Sequence, residues 1–115
     1  MTKIAVVIKS EPYSDESVYT GLKFVKSALS EGHNVEVFLV QGGVFCALSK
    51  QNPKDMPNLY SLLEQLISDG ARIVCCGTCV SSRGIDTTMI HPNVEIGSMQ
   101  IFVEMIASSN SSITF

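Results

Sequence analysis

The sequence predicts an α/β fold, a three-layer arrangement in which a mostly parallel sheet of about five strands carries helices on both faces. Three observations predict it. Short apolar runs of strand length alternate along the chain with amphipathic stretches of helical period. The intervening segments are long enough for right-handed crossovers, which leave successive strands parallel. Apolar residues make up 45% and charged residues 17% of the chain, which describes a globular protein rather than a disordered one. At 115 residues one core fits and two do not, so a single domain over residues 1–115 is expected.

Lys3–Ile8 is a nearly continuous apolar run rich in Val and Ile, as a strand covered on both faces requires. Ser14 and Asp15 offer capping oxygens to a first helix, on which Val18, Leu22, Val25 and Leu29 share one face. Gly32 supplies its left-handed stop. Residues 35–40 read as a second inner strand, followed by Gly42-Gly43 and a helical turn over residues 44–49. Beyond a loop at residues 51–58, Leu59, Leu62, Leu63, Leu66 and Ile67 mark a second helix, with Pro57 near its start and Gly70 at its end. Arg72–Cys76 is the third strand and residues 94–96 a short fourth. Ser98 can cap a last helix that turns Phe102, Val103 and Ile106 inward, and residues 112–115 form the closing strand.

Net charge is −3 and the eight Lys and Arg are scattered, which disfavours nucleic acid as a partner. The early apolar run Ile4 to Ile8 is too short for a signal peptide or a membrane span, so a cytoplasmic protein without membrane attachment is expected. Neither a G-x-G-x-x-G nor a P-loop follows the first strand, and no nucleotide or other cofactor is expected.

Ligand sites of parallel sheets lie beyond the carboxyl ends of the strands, so the loops at residues 10–14, 41–46 and 77–84 should share one rim. Four cysteines in a reducing compartment suggest metal, redox or nucleophile chemistry rather than a disulfide framework, and Cys75, Cys76 and Cys79 cluster. Successive strand residues face opposite sides, so Cys75 and Cys76 cannot both face one site. Cys75 and Cys46 read as small buried hydrophobes. Cys79 lies past the strand end in polar surroundings, the setting a reactive thiol needs. Thiols attack as thiolates and an ordinary one ionises near about pH 8.5, so a nearby cation or free N–H groups must help. Arg83 can supply the cation, and a helical turn over residues 80–84 would add N–H groups. Its bland alternative is a solvated turn residue or a pair with Asp86. His33 and His91 read as exposed. Cys75, Cys76, Cys79 and His91 could be counted as zinc ligands, but strand alternation and spacing disfavour it, and no metal is expected.

The segment Cys76-Gly77-Thr78-Cys79-Val80-Ser81-Ser82-Arg83-Gly84-Ile85 resembles the cysteine loop of the DsrE/DsrF-like family, whose members include a subunit of a sulfur-relay complex. Asn93-Val94-Glu95-Ile96-Gly97-Ser98, the terminal Ser112-Ile113-Thr114-Phe115, and Val37-Phe38-Leu39-Val40 with Gly43-Val44 resemble its YchN-like branch. The resemblance implies a doubly wound α/β fold, assembly into homotrimers or hexamers, and a cysteine that carries sulfur as a persulfide, which maps onto Cys79. Cys76 matches a cysteine of the YchN-like branch that is not present in every sulfur-carrying member, and is either a second redox-active thiol or a structural residue.

The leading expectation is therefore an intracellular sulfur carrier of sulfurtransferase type, with Cys79, Cys76 and Arg83 at its site and persulfide donor and acceptor proteins as partners. A dithiol redox protein using Cys76 and Cys79 is the alternative, although Arg83-Gly84 interrupts the long helix that such a motif usually opens. A non-catalytic oligomeric subunit is a third. Assembly is expected on physical grounds too, because so apolar a short chain leaves hydrophobic surface over, above all around Ile101 and Met105 on the last helix.

Overall fold

The computed structural model describes residues 2–115, and its alternation of strands and helices follows the apolar periods of the chain. In order, the elements are β1 (Lys3–Ile8), α1 (Ser17–Ser30), β2 (Asn34–Leu39), a 3-10 segment (Gln41–Ala47), α2 (Leu59–Ser68) and β3 (Arg72–Cys76). The short α3 (Gly77–Ser82), a 3-10 turn (Thr87–Met89), β4 (Glu95–Gly97), α4 (Met99–Ala107) and β5 (Ser111–Thr114) complete the chain. The five strands form one sheet in the order β4-β3-β2-β1-β5, and every pairing is parallel. The chain steps outward from β1 to β4, then crosses by way of α4 to place β5 on the other side of β1.

Strand alternation divides the core in two. Val6, Ile8, Val37, Leu39, Ile73 and Cys75 face α1 and α2, where Val18, Leu22, Val25, Leu59, Leu63 and Leu66 meet them. Phe38 and Val74 face the other way, against Met105, Ile101 and Phe102 of α4. The Phe38 and Phe102 rings stack with centroids 4.2 Å apart. Toward the amino ends of the strands this second face carries ion pairs instead. Glu36 meets Lys3 at 3.0 Å and Arg72 at 3.3 Å, and Arg72 grips Glu95 through two nitrogens at 2.7 and 3.0 Å.

The inward face of α4 differs from the expected one. Met105 is 2% exposed, whereas Val103 is 59% and Ile106 38% exposed. The helix carries two apolar stripes, Ile101-Phe102-Met105 and Met99-Val103-Ile106, and helical period alone does not say which is turned inward. Its start is as expected, since the Ser98 hydroxyl accepts the Ile101 N–H. In α1 the capping differs: the helix begins at Ser17, and Asp15 accepts the Ser17 N–H at 2.8 Å from just outside the helix. Gly32 follows α1 with φ +88°, the left-handed stop. Among the described residues, no helix is long and apolar enough to cross a membrane.

Candidate functional site

The loops after β1, β2 and β3 meet on the carboxyl rim of the sheet. After β2 the chain turns back over β1: Val40 N–H donates to the Ile8 carbonyl at 3.0 Å, and Gly43 lies so close to that carbonyl that a Cβ would collide with it. To make this turn Gln41 takes φ +54°, a left-handed conformation that costs an ordinary residue about 1 kcal/mol or more. Its N–H is thereby aimed away from its own strand and donates to Cys79 Sγ at 3.1 Å.

Cys79 reaches this position because β3 passes directly into α3. The expected turn over residues 80–84 is instead a helix beginning at Gly77, with Cys79 in its first turn and Gly84, at φ +63°, beyond its end. Cys76 occupies the capping position, its sulfur accepting the Cys79 N–H at 3.3 Å. Sulfur thus takes the place that a Ser or Asp oxygen usually fills.

The four cysteines divide by burial, and strand alternation accounts for the difference between Cys75 and Cys76. Cys75 and Cys46 are fully enclosed on the α1/α2 side, and burial pushes each thiol up to about 12, so both stay protonated and inert at neutral pH. Cys76 and Cys79 are half-buried and reach solvent. Burial also raises Cys76, and the neighbouring Cys79 side chain raises it further against the lowering effect of the Cys79 N–H. Cys76 therefore holds its proton more tightly than an ordinary thiol does.

Arg83 is exposed, and its Nη1 lies 3.3 Å from the Cys79 carbonyl oxygen. The guanidinium thus ties down the end of α3, with its charge on the backbone side of Cys79. Asp86 is occupied with Thr88, accepting from its N–H at 2.9 Å and its hydroxyl at 2.8 Å.

His91 is not exposed, as the sequence suggested, but 6% accessible and remote from the thiols in its contacts. Its Nε2 lies 3.3 Å from Glu64 on α2, and its Nδ1 accepts the Asn93 N–H at 3.1 Å. The apolar residues Ile90 and Val94 carry it into the core edge, a consequence of packing that a His-Pro pair does not announce. His33 is half-buried, its Nδ1 accepting the Thr2 N–H at 3.3 Å.

Two residues important to the rim carry no sequence signal of chemistry. Gln41 acts through its backbone, and only the adjacent Gly42-Gly43 hints at an unusual turn there. Gln51, read as loop, donates to the carbonyls of Cys46 and Leu48, each at 2.9 Å, and accepts from the Tyr13 hydroxyl. Tyr13 in turn receives the Leu59 N–H at 3.0 Å, which binds the β1 loop, the 3-10 segment and the start of α2 together.

Comparison with known proteins places this geometry among relatives. The model of the DsrE/DsrF-like family matches residues 2–115. The chain is similar to an uncharacterized protein of Methanopyrus kandleri, 40% identical over 112 residues that cover 97% of this chain and 93% of that one. It is similar to protein YchN of Escherichia coli, 29% identical over 117 residues that cover all of both chains. The crystal structure of that protein superposes over the whole of both chains with a TM-score of 0.92.

Proposed function

The chain belongs to the DsrE/DsrF-like family, which is associated with sulfur relay, and from that premise we propose that it is a sulfur carrier whose carrying atom is Cys79 Sγ. The single observation that carries the reading is the 3.1 Å hydrogen bond from Gln41 N–H to that sulfur. A donor held by rigid backbone favours negative charge on the sulfur both when it attacks and when it leaves.

In the loading step the Cys79 thiolate attacks the outer sulfur of a donor persulfide, R-S-SH. The donor's S–S bond breaks, the R-thiolate leaves and takes up a proton, and Cys79-S-SH results. In the delivery step an acceptor thiolate attacks that outer sulfur, and Cys79 departs as thiolate. No net oxidation occurs in either transfer. Arg83 positions the helix that holds Cys79, and the half-open rim admits a partner's cysteine. The chemistry needs reduced thiols, which suits an intracellular compartment. We place the carrier in a homotrimer or hexamer, with the exposed apolar stripe of α4 against a second copy.

Incubating the reduced full chain with a persulfide donor should give a protein one sulfur atom heavier by intact mass, with the addition on the Cys79 peptide. Cys79→Ser should take up none. A folded, reduced wild-type sample that gains neither sulfur nor a Cys76–Cys79 disulfide overturns the reading and leaves the non-catalytic subunit. The dithiol redox alternative draws support from the cap contact between Cys76 and Cys79, and it predicts insulin reduction at a cytosolic oxidoreductase potential.

A further inference from the structure

We propose that Cys76 resolves the Cys79 persulfide, expelling its outer sulfur as sulfide and closing a Cys76–Cys79 disulfide. This second activity rests on the carrier reading. The cap geometry carries it, because Cys76 Sγ accepts the Cys79 N–H at 3.3 Å, which holds the two residues together at the start of α3. Cys76 caps α3 and Cys79 stands in its first turn, both half-buried, while Cys46 and Cys75 are fully buried in the core beneath them. Of the other three cysteines, Cys76 is therefore the one that both contacts Cys79 and reaches solvent.

The step balances without an outside oxidant. Cys76 loses its proton to solvent and its thiolate attacks Cys79 Sγ, the inner sulfur of Cys79-S-SH. A bond forms between the two cysteine sulfurs and the bond from Cys79 Sγ to the outer sulfur breaks, releasing hydrosulfide. The sulfane sulfur is reduced by two electrons, and the two cysteine sulfurs are oxidised to the disulfide. Each chain releases one sulfide and then stops, until an external dithiol reduces it.

The proton on Cys76 sets the timing. Burial raises this thiol above its ordinary range, which slows its attack and leaves time for a partner's thiol. Sulfide release should quicken by about tenfold per pH unit as long as Cys76 remains mostly protonated. A partner's thiol that takes the outer sulfur first gives transfer; delay gives sulfide and a locked carrier. The locked state cannot reload, which couples carrier activity to the supply of reduced thiol.

The test loads the reduced full chain with inorganic polysulfide, removes the excess, and follows free sulfide and intact mass over time at several pH values. The expected wild-type course is loss of the added sulfur, one sulfide per chain, and a product two hydrogens lighter than the reduced chain, with Cys76 and Cys79 linked. Whatever sulfur Cys76→Ser and Cys76→Ala take up should stay on Cys79, with no sulfide released and no disulfide formed, and either one suffices if the other folds poorly. Wild type holding its persulfide as long as these variants overturns the inference and leaves the carrier reading intact. Migration of the sulfur to Cys76 without sulfide overturns it likewise. Failure of every chain to load overturns the carrier reading, and this inference with it.

Discussion

Gln41 and Cys79, 38 positions apart, are joined by a hydrogen bond from the Gln41 N–H to the Cys79 sulfur at 3.1 Å. The bond couples two loops that emerge from adjacent parallel strands, and it depends on the backbone of one and the side chain of the other. The left-handed turn at Gln41 is what points the donor at the thiol rather than at the strand it leaves.

Replacing the donor should therefore separate backbone effects from side-chain effects. Gln41→Gly keeps the N–H and removes the left-handed strain, so stability should shift by no more than about 1 kcal/mol and sulfur loading should persist. Gln41→Pro removes the N–H and forces φ negative, so Cys79 alkylation at neutral pH should slow by about tenfold, the effect of one hydrogen bond to a charged group. Equal alkylation rates in the two variants would show that the hydrogen bond does not activate the thiol.

The adjacent glycines should respond very differently to alanine. At Gly43 the added Cβ meets the Ile8 backbone carbonyl, which is fixed in β1, and the cost should be about 2 to 4 kcal/mol in urea unfolding. At Gly42 it meets the flexible Glu11 side chain, which can swing into solvent, and the cost should stay below about 1 kcal/mol. Comparable losses at both positions would mean that the rim yields more readily than the Ile8 contact implies.

The buried thiols predict a pH effect of known sign. Burial raises Cys46 from an ordinary 9.0 to about 12, so the folded state binds its proton more tightly than the unfolded chain does. Stability owed to the neutral thiol is full below pH 9.0 and is lost as pH rises toward 12. Near neutral pH Cys46→Ala should be less stable than wild type by about 1 kcal/mol. Above pH 9.0 that difference should close by about 1.4 kcal/mol per pH unit and then reverse. Urea midpoints under reductant measure it, and a difference that stays constant across this range argues against a deeply buried Cys46.

Much of this arrangement is legible in the sequence because strands and helices announce themselves by period. Lys3–Ile8 and Arg72–Cys76 are strands at the bounds their apolar runs suggest, and alternation alone separates Cys75 from Cys76. That Cys79 lies past the end of β3 follows from the length of the apolar run, but that it stands in a helix beginning at Gly77 does not. The Gln41 contact does not follow, since it is made by a backbone group whose direction depends on how closely the 3-10 segment approaches β1. His91 shows the same limit: its burial follows from the packing of Ile90 and Val94 into the core, and its partner Glu64 is 27 residues away in sequence. On α4 the failure is one of phase, because both stripes are apolar and only packing against Phe38 and Val74 selects one.

The two stripes of α4 should answer to different measurements. Met105 fills the space between α4 and the sheet, so Met105→Ala should cost about 2 to 4 kcal/mol in the stability of the chain itself. Met99, Val103 and Ile106 lie four and three residues apart on the outer side, 65%, 59% and 38% exposed, and form a continuous apolar strip with nothing over it in a single chain. Val103→Ser therefore removes little from the fold of one subunit. If a second copy covers the strip, the same substitution, alone or with Ile106→Ser, should lower the light-scattering mass at micromolar concentration from that of a trimer or hexamer toward that of a monomer. Thermal stability would then become concentration dependent in wild type and less so in the variant. A wild-type chain that already scatters as a monomer defeats the assembly proposal. Variants that keep the oligomeric mass would move the interface from α4 to the sheet edges, where Ile96 on β4 and Ile113 on β5 are the exposed apolar side chains.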